Sequence, residues 1–248
     1  MQNRHKSAYG FRARLGLIVP PTNTVNEAEW ARMLPDGVTF HTVRMPIHLD
    51  AGSTTGRRKL VADIVARVRE LAEARVDVVA YACTAGSMVN PLDALARQVE
   101  AETGVALVTT AAAIVRALQH LGARKVSIAT PYHDVLNAHE IEFLRDNGIE
   151  TLRIAGLGLG ANGPADFPRI AETPLATVES HARAVHVPAA NALLITCTDF
   201  PTLPLLGRLE HDLGIPVVTS NQATLWAALR AAGITDHLPQ AGHLFQRG

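Results

Sequence analysis

The chain has 248 residues, 48% of them hydrophobic and 19% charged, with a formal net charge of zero. That is ample for a large apolar core, and it leaves no basic footprint for nucleic acid or an anionic membrane surface. No apolar run approaches the roughly 18 residues of a membrane span, and two cysteines in so long a chain make no disulfide framework, so free thiols and a cytoplasmic location are expected.

Residues 1–13 are basic and read as a disordered leader; the apolar stretch that follows ends too early for a signal peptide. RLGLIVP (14–20) reads as a buried strand ending at Pro20-Pro21, and VTFHTVRMP (38–46) as a second. LDAGSTTG (49–56) is a loop, and 57–74 is a helix with Leu60, Ile64, Val68 and Leu71 at helical spacing. A strand over 76–83, a helix over 91–104 that stops on Gly104, a strand over 105–110 and a helix over 111–123 complete a first half, 14–123. The order then recurs through a second half, 124–248. It has strands at 125–131, 149–160, 191–197 and 215–222, and helices at 133–148, 174–187, 203–214 and 223–233.

The recurrence has a near-constant offset. Pro20 and Pro131 are 111 residues apart, Cys83 and Cys197 are 114 apart, and Gly104 and Gly214 are 110 apart. An internal duplication of alternating strands and helices implies an α/β protein of two pseudo-symmetric Rossmann-like halves with parallel sheets and a site in the cleft between them. Both cysteines fall at carboxyl ends of strands, where open α/β sheets bind ligands.

Paired thiols at equivalent strand ends suit proton chemistry or addition to an activated double bond. Either role calls for a lowered thiol pKa, which nearby helix N-termini can supply. The alternative is two buried structural thiols. Thr84 and Thr198 place hydroxyls beside the thiols, and Ala85 follows the first. Asn23, after the first strand, is either a helix cap or a donor to a bound carboxylate. Tyr132 is its counterpart in the second half, and GLGLGANG (156–163) is a mobile loop presenting Asn162. That loop lacks the GxGxxG spacing of a dinucleotide fingerprint. The eleven histidines are scattered without HxH or HExxH, so no metal site is expected, and no P-loop or Ser-His-Asp signature occurs.

LGLIVPPTN, YAC, TPY, the loop asparagine, TC, GIPVVTS and the closing AGHLF resemble the aspartate/glutamate racemase superfamily. Within it they resemble the branch of maleate cis–trans isomerase and arylmalonate decarboxylase. The resemblance implies an enzyme without cofactor or metal. It also implies Cys83 as the thiol that adds to an alkene, Cys197 as its proton-handling partner, and Pro20, Asn23, Thr84, Ala85, Tyr132, Asn162 and Thr198 as substrate contacts. Thr84-Ala85-Gly86-Ser87 and Pro20-Pro21 lean toward the decarboxylases, whereas the thiol pair leans toward the isomerases.

The leading expectation is a two-cysteine isomerase or racemase for a small carboxylate, a dicarboxylate first, with no nucleic acid or membrane partner and a homo-oligomer left open. Two alternatives stand beside it: an arylmalonate-type decarboxylase using Cys197 as proton donor, and a non-catalytic small-acid binding protein.

Overall fold

Wholly buried runs of four residues, VVAY and ALLI, form the centres of two sheets, and each sheet draws its outer strands from the sequence around them. The computed structural model of the protein describes residues 4–246. The first sheet and its helices comprise β1 (Ala13–Val19), α1 (Asn26–Met33), β2 (Val38–Arg44), α2 (Thr54–Ala72), β3 (Val78–Tyr81), α3 (Thr84–Met88), α4 (Ala94–Thr103), β4 (Leu107–Thr109) and α5 (Thr110–His120). The second comprises β5 (Lys125–Thr130), α6 (Asp134–Asp146), β6 (Glu150–Gly156), α7 (Pro168–Ala171), α8 (Leu175–Val185), β7 (Ala192–Ile195), α9 (Leu206–Leu213), β8 (Val217–Thr219) and α10 (Ser220–Ala231).

The strand orders are β2-β1-β3-β4 and β6-β5-β7-β8, the same permutation twice, and every pairing is parallel. Parallel sheets need cover on both faces, which is why the central strands carry no polar alternation. α4 and α9 end on Gly104 and Gly214, both left-handed at φ 72° and 66°, a conformation that costs glycine nothing sterically.

The two sheets share one core. α5 packs on α10, and a continuous apolar cluster runs from Leu15, Leu17 and Val78 through Ile114 and Leu118 to Ile128, Leu194 and Leu225. Ten of the twelve residues of α10 are buried, so it behaves as an interior helix. Thr224 Oγ1 donates to Thr110 Oγ1 at 2.9 Å across the helix pair.

Three expectations are corrected. The helix expected from 57 begins at Thr54, because Ser53 Oγ accepts from Gly56 N at 2.9 Å and caps it inside the expected loop. Residues 84–88 form a short helix between the expected strand over 76–83 and helix over 91–104, where no element was expected. The leader is not free over its described part. Arg4 and His5 reach Asp77 at 3.2 and 2.9 Å, and Arg12 donates to Asp236 at 2.8 Å, so these polar contacts tie it to residues of both halves. Residues 1–3 of that expected leader lie outside the described residues. Among the described residues, no helix is long and apolar enough to cross a membrane.

A shared core makes unfolding a single event. Ile114→Ala, at a fully buried position of α5, is expected to lower stability by roughly 2–5 kcal/mol and to shift one common urea transition followed by fluorescence and circular dichroism. Two separated transitions would show that the halves unfold independently.

Candidate active site

The carboxyl ends of β1, β3, β5 and β7 converge, and the residues that follow each strand are tied to those of the opposite sheet. After β1, the Asn23 side chain is 1% exposed. Its Oδ1 accepts from Val25 N and Asn26 N at 3.1 and 3.0 Å, which starts α1, and its Nδ2 donates to Thr198 Oγ1 at 3.1 Å. Thr198 Oγ1 in turn donates to the carbonyl of Ala82, one residue before Cys83, at 3.1 Å. The reciprocal tie uses Ser220. Its Oγ accepts from Cys197 N at 3.0 Å and shares a hydrogen with Thr84 Oγ1 at 2.9 Å. The residue after each cysteine is thus bonded to the backbone beside the other cysteine, directly from Thr198 and through Ser220 from Thr84.

Each thiol has a matching pair of polar neighbours that favour its thiolate. They are the N–H of Gly86 and the Tyr81 hydroxyl at Cys83, and the N–H of Asp199 and the Tyr132 hydroxyl at Cys197. A Cβ on Gly86 would meet Tyr81 Oη and lie 2.9 Å from Cys83 Sγ, so only glycine lets this backbone reach the sulfur. Both tyrosines are pushed well above the ordinary phenol range, chiefly by burial, and remain donors.

The expectation of lowered thiol pKa values is overturned. Burial pushes Cys83 up and Cys197 up to about 12, and the two polar neighbours of each sulfur offset only part of that. The thiols are not equivalent. Cys197 is also destabilised as a thiolate by the Asp199 carboxylate and by Cys83, contributions that Cys83 does not carry. Cys83 is partly open to a cavity, so solvent weakens its burial penalty, whereas Cys197 is 9% exposed. The ordering makes Cys83 the more readily ionised. The backbones differ as well: Cys83 is extended (φ −142°), whereas Cys197 sits at φ 98°, a strained conformation for a residue with a side chain.

A cavity of about 350 Å³ opens onto Cys83. Pro20, Ala85 and Tyr132 line it with Cys83, while Asn23, Thr84, Cys197 and Thr198 form the hydrogen-bonded layer behind it. Most of the wall is apolar, including Met45, Leu60, Met88, Val89, Leu136 and Phe167, and Ile47, Leu49 and Val135 are exposed apolar side chains among the lining. Asn162 is not brought to the site. It is exposed, with Nδ2 on Asp166 Oδ2 at 3.1 Å, because the chain turns outward through Gly160 and Gly163 at positive φ.

Reasoning from sequence missed Tyr81, Ser220, Glu140 and Asp199. Ser220 was within reach, since VVTS (217–220) matches LVTT (107–110) and places Ser220 opposite Thr110. Tyr81 sits in the YAC run but has no equivalent one repeat later. Asp199, pushed up to about 6 by burial, accepts from Thr24 N at 2.9 Å and anchors the loop after β1. Among the described residues, no three of His, Cys, Asp and Glu are clustered to hold a metal ion.

Comparison with known proteins gives three kinds of match. The family model described as arylmalonate decarboxylase matches residues 15–245. The chain is similar to maleate isomerase of Nocardia farcinica, at 30% identity over 94% of this chain and 96% of the relative, and to arylmalonate decarboxylase of Bordetella bronchiseptica, at 28% over 88% and 90%. Among solved structures it is similar to a cysteine-to-serine mutant of Nocardia farcinica maleate cis–trans isomerase with a covalently bound succinylcysteine intermediate. That match has a TM-score of 0.80 and 26% identity, and covers 95% of this chain and 99% of that one.

The backbone difference between the cysteines has a stability signature. At 197, glycine is expected to be more stable than alanine by about 1 kcal/mol; at 83 the order reverses. Urea unfolding of the four single variants measures both differences, and the same order at both sites would remove the strain at Cys197.

Proposed function

The chain belongs to the arylmalonate decarboxylase family, and from that footing we propose that it is a cofactor-independent, cysteine-dependent isomerase of small carboxylates, acting as the maleate isomerases do on a cis-enedioate. The observation that carries this reading is the pair of thiols, each served by one tyrosine hydroxyl and one backbone N–H. A thiol in the position of Cys83 is what addition requires and simple decarboxylation does not.

In this reading the Cys83 thiolate adds to one alkene carbon. The C=C π bond breaks, a C–S bond forms, and the electron pair moves into the neighbouring carboxylate as an enediolate. The former double bond is now single and rotates. The Cys197 thiol protonates the carbanion carbon, leaving a succinyl thioether on Cys83 and a thiolate at 197. That thiolate then removes the proton again, the C–S bond breaks, and the trans alkene leaves with both sulfurs restored. Tyr132 suits the proton step because its hydroxyl stabilises the Cys197 thiolate as it forms. Asn23 and Thr198 act by fixing the backbone around both thiols. Asn162 enters only if the 157–163 loop closes over the cavity. The chain divides at 123/124 into the two halves that supply one thiol each, and the unpaired thiols suit the cytoplasm.

The apolar cavity wall favours a second reading, decarboxylation of a substituted malonate. Loss of carbon dioxide leaves the enediolate of the substituted acetate, with no bond to Cys83, and Cys197 supplies the proton to its carbon. Proton and carbon NMR in deuterated buffer with maleate and a phenyl-substituted malonate separates the two.

Under the isomerase reading, Cys83→Ser loses at least 10³-fold in turnover, on the order of a lost nucleophile, and Cys197→Ser accumulates a substrate adduct on Cys83 visible by mass spectrometry. Turnover by Cys83→Ser at the wild-type rate would return both cysteines to structural roles.

A further inference from the structure

α6 turns one face inward, and that face carries a carboxyl group that the mechanism above does not use. Glu140 is fully buried beside Asn137, Phe143 and Leu144, and it lines the cavity together with Cys83, Tyr132 and His139. Its Oε2 accepts from Thr196 Oγ1 at 3.1 Å, and its Oε1 has no hydrogen-bond partner. A buried oxygen left in this state costs free energy that a fold does not sustain without a reason.

No lysine or arginine stands in the cavity wall to pair with it. The titratable groups around the same cavity are Tyr81 at the end of β3, Cys83 after it, Tyr132 before α6, His139 on α6, and His48 beyond β2, which pairs with Asp63 at 2.9 Å; Cys197 neighbours Tyr132. Burial pushes Glu140 up to about 8 and the Thr196 bond offsets only part of that, so the side chain is a neutral acid at pH 7. With Oε2 occupied by a donor, the acid hydrogen belongs on Oε1, the free oxygen.

We propose that Glu140 is a carboxylate-binding residue of this cavity, donating its Oε1 hydrogen to an oxygen of the anionic substrate. This rests on the reading that the substrate is a carboxylate, and it answers a difficulty in that reading: how a cavity without arginine or lysine holds an anion. A hydrogen bond between an acid and a carboxylate is short and charge-assisted, about 2.5–2.7 Å between oxygens. The same group makes binding proton-dependent. The acid is intact below its pKa. As pH rises through that value, the donor is lost and a buried anion faces the substrate, so affinity falls.

The test is calorimetric binding of maleate to the wild type, Glu140→Gln and Glu140→Met at pH 7 and 9.5, run beside turnover. The wild type is expected to bind at least tenfold more weakly at pH 9.5. Glu140→Gln, which keeps a donor and cannot ionise, is expected to bind several-fold more weakly than the wild type at pH 7 and equally at both pH values. Glu140→Met is expected to lose roughly ten- to a hundredfold at pH 7. Equal wild-type affinity at the two pH values, the same pH-dependent loss in Glu140→Gln, wild-type affinity in Glu140→Met, or no binding of maleate at pH 7 would each overturn the proposal. Proton-dependent binding without turnover would sink the isomerase reading and leave Glu140 as an anion-binding residue.

Discussion

The site depends on the crossed hydrogen bonds made by Thr198 and Ser220. Thr198 follows one cysteine and is bonded to the carbonyl before the other, while Ser220 links the N–H of Cys197 to the hydroxyl after Cys83. The three side chains and the two backbone groups all belong to buried residues, so a broken bond there leaves a buried donor or acceptor unpaired, at a cost of about 1–3 kcal/mol. Neither thiol is therefore positioned by its own sheet alone. Glu29 extends the join: it lies on α1 yet accepts from the N–H groups of Thr202 and Leu203 at 2.6 and 2.7 Å and from Asn221 Nδ2 at 2.7 Å.

Within that symmetric frame the two thiols have diverged in ways that matter for chemistry. Cys83 touches the cavity, keeps an ordinary extended backbone and lacks an acidic neighbour. Cys197 lies behind Tyr132, carries strain and sits next to Asp199. Duplication supplies two sulfurs at one cleft; local electrostatics separates a nucleophile from a proton carrier. The general rule is that two groups of the same type become acid and base when their surroundings push them apart.

The alternation of strands and helices was legible because buried parallel strands leave apolar runs and the repeat offset aligns them. β1 to β8 all fall within the ranges read from sequence, save β1, which starts one residue early at Ala13. The strand ends carrying Cys83 and Cys197 followed from the same alignment. What escaped has a physical reason in each case. α3 is five residues with a glycine and two hydroxyls, too short for any periodicity. Ser220 and Thr84 meet across 136 positions, and a tertiary hydrogen bond leaves no trace in a local pattern. Glu140 occupies an ordinary helical position for a charged residue, and only the packed structure reveals that it faces inward. Asn162 was expected as a contact from the family resemblance and a mobile glycine-rich loop; its side chain instead lies exposed against Asp166.

The pairing of α5 with α10 also bears on how the chain is made. α5 ends at His120 and α10 at Ala231, so 111 residues separate the emergence of one from that of the other. At about 5–20 residues per second, that interval is roughly 5–20 s. During it, α5 can pack on α3 and β4 of its own sheet, but the face that it turns to α10 in the finished molecule is uncovered. The order of synthesis thus leaves one helix face of the nascent first half uncovered for those seconds, because the core that covers it is completed only by α10.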